Sequence, residues 1–414
     1  MYTFKENISE QEFESFVASF STAPIQQTLA WGKLKNNWQS VLCGLYNDDR
    51  MCGAALILIR KLLPGFSCAY CPHGPLTDLN APEAVQAFAQ GMKELCKKHG
   101  VYEITVDPLL PVGLTLPDLD EKAYFNPYNT ADSQAAFDAL VAAGFRHGGF
   151  GKELHATLQP RFNAMIPLRT ADGTKLTAAQ LKKNYRTKIR SYFGAFRQLR
   201  GLYFEKAEPT EENLKLFESI LQQTEQRQNI SLRGGNYFKL LTESFGEDAC
   251  LAFEKCYIPD YLKTLRERLQ KEPENEEKLR EQLADAEKVM AEHGETVTLA
   301  ATLTVFPPNR DGVRIAEYLY AGSDLRIFPA FSATLCALYD LCQLSIEKDC
   351  HFLNLGGFAG TFDDGLFTFK NHFNPLCTEY AGEFTLVIHP LKYNLMTKAM
   401  PLLKKVYKAI FGKK

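Results

Sequence analysis

The chain has 414 residues, which exceeds the length of one ordinary domain and predicts two. Its formal net charge is −2, so an anionic partner must bind to a local basic patch and not to a uniformly basic surface. Among the eleven cysteines only Cys68 and Cys71 form a CxxC pair, and no second pair completes a zinc set, so we expect free thiols in a reducing cytosol and no metal.

The N-terminal segment, residues 1–13, is polar and acidic, unlike a secretory signal peptide. The longest apolar stretch, residues 54–59, has the length of a buried strand and falls well short of the roughly 20 residues that a membrane span needs. We therefore expect a soluble or peripheral protein.

The first half contains a strand–strand–helix–strand pattern. Strands are predicted over residues 41–46 and 52–60, a helix over 82–99, and a strand over 101–106 that ends at Asp107. Residues 139–145 would close this unit as a helix with a glycine C-cap.

A basic run follows in residues 173–204, which contain eight Lys or Arg and no acid. Lys182, Arg186 and Arg190 recur every four residues, so one helix would place them along one face. Two interpretations are open: contact with the phosphates of RNA or of a diphosphate lipid, or a solvated face. The interleaved aromatic residues are predicted to anchor this segment to the core: Tyr185, Tyr192, Phe193 and Phe196.

A highly charged segment, residues 260–295, contains eighteen charged residues out of thirty-six. Apolar residues recur at three-four spacing on both sides of Pro273, which predicts two antiparallel helices that pack through a narrow seam and project from the body. The alternative is a solvated charged loop.

The second half repeats the first pattern. Strands are predicted over residues 297–306 and 313–321, a helix over 330–348, and a strand over 351–355 that ends at Gly356. The repetition of element order predicts a duplicated α/β unit.

Two strand ends of this half carry candidate binding residues. Strand alternation predicts that Tyr318 and Tyr320 lie on one side of their strand. Lys370 lies among aromatic residues in the segment GLFTFKNHF, residues 365–373. It could hold a phosphate or stabilise an oxyanion, or it could be a surface lysine beside a core cluster.

The C-terminal tail has no acidic residue after Glu383 and seven lysines from Lys392 onward. Its apolar residues fall on one helical stripe, which is typical of a helix that lies on an anionic membrane surface or of one that packs on the body.

Several familiar signals are absent from the sequence. There is no Walker-type phosphate loop, no dinucleotide glycine fingerprint and no GxSxG elbow. The lone histidines, such as His73 and His155, have no ligand spacing and are interpreted as structural. The sequence therefore predicts no cofactor.

Taken together, the segments resemble the FemABX family of tRNA-dependent peptidoglycan aminoacyltransferases, also called MurM-like enzymes. The resemblance begins with QTLAWGKLKNNW at residues 27–38 and extends over nearly the whole chain. Its further segments are residues 74–76, 102–108, 157–161, 227–237, 318–322, 354–357, 365–373 and 379–384.

The resemblance implies an α/β (α+β) fold of two tandem domains similar to GNAT acyltransferases. The first would be residues 1–155, completed by 384–414, and the second residues 156–383. The charged segment, bounded as residues 257–294, would be a coiled-coil arm inserted in the second domain.

The resemblance also implies site residues. Lys35 and Arg233 match residues that grip the diphosphate of the precursor, although Gly234 and Gly235 depart from the pattern and loosen that loop. Asp107 matches an acid near the attacking amine, and Lys370 matches a lysine near the aminoacyl ester. The tyrosines that match the lining of the peptide channel are Tyr102, Tyr237 and Tyr320. The basic run would meet the tRNA acceptor stem through Lys182, Lys183, Arg186, Arg190 and Arg197.

The implied reaction transfers glycine, alanine or serine from aminoacyl-tRNA to the side-chain amine of the stem peptide. The acceptor would be lipid II or UDP-MurNAc-pentapeptide, and the enzyme would be cytoplasmic and peripheral at the inner face of the plasma membrane. An aminoacyl ester is already activated, so no ATP site is needed. The proton acceptor could be Asp107, a substrate carboxylate or water.

Two other functions are considered: an acyl-CoA-dependent GNAT acyltransferase, and a non-catalytic RNA- or membrane-binding adaptor. Neither half shows a convincing pyrophosphate loop, which counts against the first. The adaptor leaves Lys35, Arg233 and the tyrosines unexplained. The sequence does not predict the oligomeric state.

Overall fold

A computed structural model describes residues 1–115, 124, 130–228, 233–308 and 311–399. Most of the predicted tail helix, from residue 400 onward, lies outside these ranges. No helix within them combines the length and the hydropathy that crossing a bilayer requires.

Strands and helices alternate along the chain. The strands are β1 (Tyr2–Glu6), β2 (Gln39–Asn47), β3 (Arg50–Leu63), β4 (Phe66–Cys71), β5 (Leu76–Thr77), β6 (Val101–Val106), β7 (Pro111–Thr115), β8 (Arg146–His147), β9 (Phe162–Pro167), β10 (Leu202–Ala207), β11 (Ala249–Tyr257), β12 (Thr296–Val305), β13 (Ile315–Ser323), β14 (Phe352–Phe358), β15 (Leu376–Tyr380) and β16 (Phe384–Val387). The helices are α1 (Glu10–Ser19), α2 (Leu29–Leu34), α3 (Pro82–Lys98), α4 (Thr130–Ala142), α5 (Ala178–Asn184), α6 (Thr187–Arg190), α7 (Ala195–Gln198), α8 (Glu211–Gln228), α9 (Tyr237–Phe245), α10 (Ile258–Lys271), α11 (Glu276–His293), α12 (Ala333–Glu347), α13 (Gly365–Lys370) and α14 (Pro390–Asn394).

The first sheet has the strand order β1-β2-β3-β4-β6-β16-β8, with β5 paired to β3. Its strands are antiparallel except β4 and β6, which are parallel and are connected through α3. The apolar stripe of α3, which includes Val85, Phe88 and Met92, packs on this sheet at helical spacing. The predicted helix end near Gly144 is also confirmed, because α4 ends at Ala142 and Gly144 has a φ of +97°.

The second sheet has the strand order β10-β11-β12-β13-β14-β9-β15-β7. Here β13 and β14 are the parallel pair, and α12 connects them. The predicted repetition of an α/β unit is therefore confirmed. However, the predicted match between the two units was shifted by one strand. Strand β4, which precedes α3, was not predicted, so β3 was matched with β13 although β4 is its equivalent. The strand is only six residues long and carries Ser, Cys and Ala, which have weaker strand propensity than β-branched or aromatic residues.

Two connections cross between the sheets. Strand β7 follows β6 in the chain but pairs with β15 in the second sheet. Strand β16 lies near the C-terminus but pairs with β6 and β8 in the first sheet. The division into residues 1–155 with 384–414 and residues 156–383 stays a prediction, and β7 joins the second sheet although it lies within the first of these ranges.

The two halves also share a hydrophobic cluster. Helix α2 contributes Trp31, β3 contributes Leu56, and α8 and α9 contribute Phe217 and Phe238, all less than one tenth exposed. Because apolar contacts of this kind fix the relative position of helices, α2 and α9 hold their ends at a constant separation.

The predicted charged hairpin is confirmed as α10 and α11, joined by a short turn at Pro273–Asn275. Leu262, Leu265 and Leu279 are buried in its seam. Tyr261 packs against Phe331 of the body, with ring centroids 5.0 Å apart, so the base of the hairpin is anchored.

The basic run does not form the single helix that its spacing predicted. It is divided into α5, α6 and α7, and the backbone at Tyr185 is extended, with φ −76° and ψ 160°. Tyr185 is fully buried and packs edge-on against Phe193 and Phe373, so the predicted anchoring is confirmed for Tyr185 and Phe193. Tyr192 and Phe196 are only half-buried and pack against each other. Core packing of the Tyr185 and Phe193 rings outweighs the helical periodicity of the charges.

Candidate functional site

A cavity of about 570 Å³ lies between the C-terminal end of α2 and the N-terminal end of α9. We call it the cation cavity, because Lys35, Arg60 and Arg233 contribute to its lining. Helix α2 begins at the N-cap Thr28, whose hydroxyl accepts from the backbone N–H of Trp31, and ends where Lys35 N–H donates to Trp31 O. This short helix places Lys35 at the cavity.

Lys35 and Arg233 stand beside the same aromatic ring. Lys35 Nζ lies 5.8 Å from the centroid of the Tyr237 ring and 4.6 Å from that of Trp31, and Arg233 Cζ lies 5.6 Å from the Tyr237 centroid. Burial, followed by the charge of Arg233, lowers the pKa of Lys35 to about 8. No carboxylate of the described residues lies within ion-pairing distance of either cation, so the positive charge of the cavity is uncompensated.

The tyrosines predicted at the site are only partly brought together. Tyr320 Oη donates to Tyr237 Oη over 3.2 Å, and Tyr237 lines the cation cavity. Tyr102 is instead buried near the start of β6, where its ring lies 6.4 Å from that of Phe66. It does not line the cation cavity, and its place in the peptide channel stays a prediction.

Tyr318 and Tyr320 do not share a face of β13. Leu303 pairs with Tyr320 and Thr304 pairs with Tyr318, so Leu319 has no partner on β12 and forms a β-bulge. Tyr318 packs on the hydrophobic cluster of the second sheet, whereas Tyr320 packs with Phe238 on the cluster between the two halves. Alternation fails here because the bulge inserts one residue.

Asp107 follows β6 and is held in a hydrogen-bond network. Tyr70 Oη donates to Asp107 Oδ2 and the backbone N–H of His73 donates to Asp107 Oδ1, both over 2.6 Å. Burial raises the pKa of Asp107, and His73 opposes that rise. Both oxygens of Asp107 are thus occupied by protein donors.

His73 is a residue that the sequence analysis interpreted as merely structural. Its Nδ1 lies 3.2 Å from the backbone O of Asp107, which can only accept, so Nδ1 is the donor, and in the neutral tautomer that fits this bond Nε2 carries the lone pair. The parallel neighbours β4 and β6 end at the paired residues Cys71 and Val106, so the segments that follow them meet. The proximity of His73 to Asp107 was not predicted, because strand β4 was not predicted.

A second, smaller cavity of about 140 Å³ lies between β9, β13 and β14. We call it the acidic cavity, because Glu317 is the carboxylate in its lining, together with Asn354 and Gly356. Burial raises the pKa of Glu317 to about 8. The sequence analysis did not single out Glu317, since one Glu in an apolar strand is usually a solvent-facing residue.

Lys370 ends α13 next to the acidic cavity. It is only 7% exposed, and Nζ donates to Gly357 O over 2.5 Å. Burial lowers its pKa to about 8, and Asp364 opposes that change. The alternative of a surface lysine is therefore wrong. The cation is held against the backbone of β14, the strand that lines the cavity.

Neighbouring cavities share lining residues. Gln159 lines both the cation cavity and the acidic cavity. His73 and Leu109 line both the acidic cavity and a third, outer cavity of about 440 Å³. The cation cavity and the acidic cavity are thus adjacent, and we call the row that they form, from Lys35 and Arg233 to Glu317, the passage.

Most of the basic run bonds to the protein itself. Arg197 is ion-paired with the fully buried Glu254 and with Asp340, which corrects its predicted exposure to RNA. Lys182 Nζ donates to Phe193 O over 3.0 Å, and Arg190 Nε donates to Tyr185 O over 2.7 Å. Arg186 donates to the main-chain and side-chain oxygens of Asn371, next to Lys370, while Lys183 is exposed.

The model of the FemAB family matches residues 8–288 and 268–400 of the chain. The aminoacyltransferase FemA of Staphylococcus aureus strain MRSA252 is 23% identical over 98% of this chain and 99% of its own length, and the FemA of strain N315 shows the same identity and coverage. The crystal structure of FemX superposes with a TM-score of 0.75 and 22% identity over 94% of this chain and 99% of that one. The predicted fold and the predicted family resemblance are confirmed.

Proposed function

Because the chain belongs to the FemAB family, we propose that it transfers an amino acid from aminoacyl-tRNA to the side-chain amine of the stem peptide in a peptidoglycan precursor. It is an enzyme of the transferase class, in keeping with relatives that are named aminoacyltransferases. The observation that carries the proposal is the pair of cations, Lys35 and Arg233, which no carboxylate of the described residues neutralises. Their cavity is adjacent to the small cavity beside the buried Lys370.

The cation cavity would hold the diphosphate of the acceptor. Phosphate oxygens bind well to a guanidinium and an ammonium group, since charge-assisted hydrogen bonds are stronger than neutral ones. The rings of Trp31 and Tyr237 hold the two cations in place before the ligand arrives. The cavity volume of about 570 Å³ lies within the range of roughly 300–1,000 Å³ that ligand sites usually have. Lipid II and the soluble nucleotide precursor both carry this diphosphate.

The stem peptide would lie along the passage and bring its amine toward His73. The amine must lose a proton to attack, and the lone pair of His73 Nε2 can accept it. Asp107 would then act through His73, by orienting the ring with its backbone oxygen. In this arrangement Asp107 is a positioning residue and not the direct proton acceptor.

Attack on the aminoacyl ester creates a tetrahedral oxyanion. Lys370 uses one N–H to bond Gly357 O, and an ammonium group has two more to offer. We assign it the stabilisation of that oxyanion. The ester is already activated, so the reaction needs no nucleoside triphosphate. The bond that breaks is the ester bond to the tRNA ribose, whose hydroxyl is the leaving group.

The donor would approach from the side of the basic run. Lys183 and Lys188 are exposed there and can contact phosphates of the acceptor stem without reading sequence. Peripheral contact with the membrane would involve the tail and an exposed apolar group near it, which includes Leu62, Leu63 and Leu391.

The test is a transfer assay with purified protein. Transfer RNAs charged with radiolabelled glycine, alanine or serine are each offered with lipid II and with UDP-MurNAc-pentapeptide. We expect label on the precursor with one donor and a preference for one acceptor. No transfer from any charged tRNA to either acceptor would overturn the proposal. The double variant Lys35→Ala/Arg233→Ala serves as a control, since it should lower kcat/KM for the acceptor more than either single variant while leaving the thermal unfolding temperature within a few degrees of the wild type.

A further inference from the structure

The acidic cavity contains the carboxyl group of Glu317. Asn354 Nδ2 donates to Glu317 Oε2 over 2.9 Å, while Oε1 has no hydrogen-bond partner within the described ranges of the chain. In those same ranges no lysine, arginine or histidine lies within ion-pairing distance of Glu317. A carboxylate that lines a cavity inside the protein is normally paired or bound to a cation, and no such partner of Glu317 is found among the described residues.

The position of Glu317 is fixed by its neighbours. Asn354 Oδ1 accepts from Gly356 N–H over 2.9 Å, which orients the amide so that Nδ2 faces Glu317. The same Nδ2 also lies 3.4 Å from Asn163 Oδ1. A carboxylate held in this way is a preorganised acceptor, because little conformational freedom remains to be lost when a donor binds.

The cavity admits only a small group. Its volume of about 140 Å³ is below the range of roughly 300–1,000 Å³ found for drug-sized ligands. The end of β14 approaches the preceding segment closely, since a Cβ on Gly357 would lie 2.2 Å from Pro160 Cβ. At this point the wall of the cavity is formed by Gly357 and the ring of Pro160, which has little freedom to move aside.

The cavity also lies against the buried cation of the site. A Cβ on Gly356 would lie 3.9 Å from Lys370 Nζ, and the same Nζ bonds Gly357 O. The cavity thus has the carboxylate of Glu317 in its lining and the ammonium group of Lys370 behind the backbone of β14. This arrangement suits a ligand that has a cation close to a polarised carbonyl. An aminoacyl ester has this chemistry, because its α-ammonium group is separated from the ester carbonyl by one carbon.

We propose that Glu317 binds the α-ammonium group of the aminoacyl residue carried by the donor, so that the acidic cavity is the pocket that selects small amino acids. Oε1 receives the ammonium hydrogen bond, and Asn354 keeps Oε2 in place. The burial that raises the pKa of Glu317 is offset when the cation enters, since the pair is then neutral. This inference rests on the proposed function.

The test compares two donors that differ in the α group alone. One is the tRNA charged with the amino acid that the wild type transfers, and the other is the same tRNA carrying the matching α-hydroxy acid, in which a hydroxyl replaces the ammonium. We expect the wild type to prefer the aminoacyl donor by about 10- to 100-fold in kcat/KM, the factor expected for one charged hydrogen bond. In Glu317→Gln the ratio of the two rates should fall toward one, with the loss confined to the aminoacyl donor.

Two variants provide the controls. Glu243→Gln changes an exposed glutamate of α9 and should leave both rates unchanged. Lys35→Ala changes the acceptor end of the passage and should lower transfer from both donors by the same factor. Circular dichroism melting of each variant shows whether the fold is retained.

The outcomes separate this inference from the proposed function. Absence of transfer by the wild type from either donor would defeat the proposed function. A wild type that transfers from both donors equally well would overturn the role of Glu317 even if Glu317→Gln did not fold. An equal loss from both donors in a folded Glu317→Gln would also overturn it, because the carboxylate would then act without regard to the ammonium group.

Discussion

Lys35 lines the cation cavity and Lys370 lies next to the acidic cavity, and burial affects the pKa of both. Burial lowers the pKa of Lys35 and of Lys370 to about 8, so each is charged at neutral pH and loses its charge within a range that is easily measured. Their proposed tasks differ, since Lys35 would bind a ground-state phosphate and Lys370 a charge that develops during reaction. Kinetic constants and pH can therefore distinguish the two residues.

Lys35→Ala should weaken binding of the acceptor while leaving turnover nearly unchanged. Removing one charge-assisted hydrogen bond predicts a rise in KM of about 10- to 100-fold. Because a folded-state pKa of about 8 means that the cation is lost above that pH, wild-type affinity should fall as pH rises from 7 to 9. In Arg233→Ala this fall should move to higher pH, since the neighbouring positive charge that helps to lower the pKa is gone. Isothermal titration with UDP-MurNAc-pentapeptide measures each affinity.

The matched control for Lys35 is Lys239→Ala. Lys239 lies on α9 with its side chain 64% exposed, 3.9 Å from Glu243. The substitution Lys239→Ala should not change the affinity for the acceptor. If Lys239→Ala weakened binding as much as Lys35→Ala, the effect would be one of general charge and not of the cation cavity.

Lys370→Met should lower kcat and leave the KM of the acceptor within a few-fold. Removal of one oxyanion donor typically costs a factor of about 10² to 10³ in turnover. Above pH 8 the amine of Lys370 is neutral, so wild-type kcat should decline there although the attacking amine becomes easier to deprotonate. Steady-state rates between pH 6.5 and 9.5 measure both effects. Equal changes in kcat and KM would contradict the assigned role.

The residues predicted from the sequence were those whose neighbours form a recognisable segment. Lys35, Arg233 and Tyr237 share one cavity, as the resemblance implied. His73 and Glu317 were missed, because the first depends on the unpredicted strand β4 and the second is one polar residue in an apolar strand. Tyr102 lies near one end of β6 and Asp107 just beyond the other, so proximity in sequence did not place the two side by side.

At the scale of single elements, local periodicity failed where packing opposed it. The bulge at Leu319 separates Tyr318 from Tyr320, and the buried ring of Tyr185 breaks the basic run into short helices. The hairpin of α10 and α11 was predictable, because the apolar residues that recur at helical spacing are the ones that are buried in its seam. Periodicity thus predicts an element reliably only where the apolar side chains agree with it.

Helix α9 offers a test of how packing supports the site. Phe238 is 1% exposed, and its ring centroid lies 5.0 Å from those of Phe217 and Tyr320. Phe238→Ala should destabilise the protein by about 3–5 kcal/mol, because a large cavity remains in the cluster between the halves. It should also raise the KM of the acceptor, since the next residue, Tyr237, lines the cation cavity. Urea unfolding followed by tryptophan fluorescence measures the stability.

Leu325→Ala is the control for this substitution. Leu325 is 46% exposed and should change the stability by no more than about 0.5 kcal/mol. A loss below about 1 kcal/mol for Phe238→Ala would mean that the cluster between the halves does not hold α9 in place.

At the scale of the whole molecule, the duplicated order of elements was visible in the sequence because each unit has its own strand, helix and turn signals. The exchange of β7 and β16 between the sheets was not, since strand partners many residues apart leave no local pattern. This exchange joins the C-terminal segment to the first sheet. It also brings α14 close to the turn between β3 and β4, where Lys392 Nζ donates to Gly65 O over 2.8 Å.

That corner of the molecule has an exposed apolar surface with lysines around it. Leu62 is 38% exposed, Leu63 46% and Leu391 87%, and Lys61 and Lys392 line the adjacent cavity. Such a surface suits contact with an anionic bilayer, and the lysines of the tail add to the attraction by about 1 kcal/mol each near the surface. We expect the wild type to bind vesicles that contain phosphatidylglycerol and to bind neutral vesicles weakly.

Removal of residues 393–414 should weaken this binding by more than about tenfold in low salt, because the segment carries six lysines that are each worth about 1 kcal/mol near the surface. The factor should be smaller at high ionic strength, where charge is screened. The double variant Leu62→Ser/Leu63→Ser should weaken binding equally at both salt concentrations, because it removes apolar contact and no charge. Leu325→Ser/Leu366→Ser, with similarly exposed leucines elsewhere, is the control. Vesicle sedimentation measures all three. Unchanged binding after removal of the tail would mean that the stripe of apolar residues serves the fold alone, and the leucines of the β3–β4 turn would then have to account for any membrane contact.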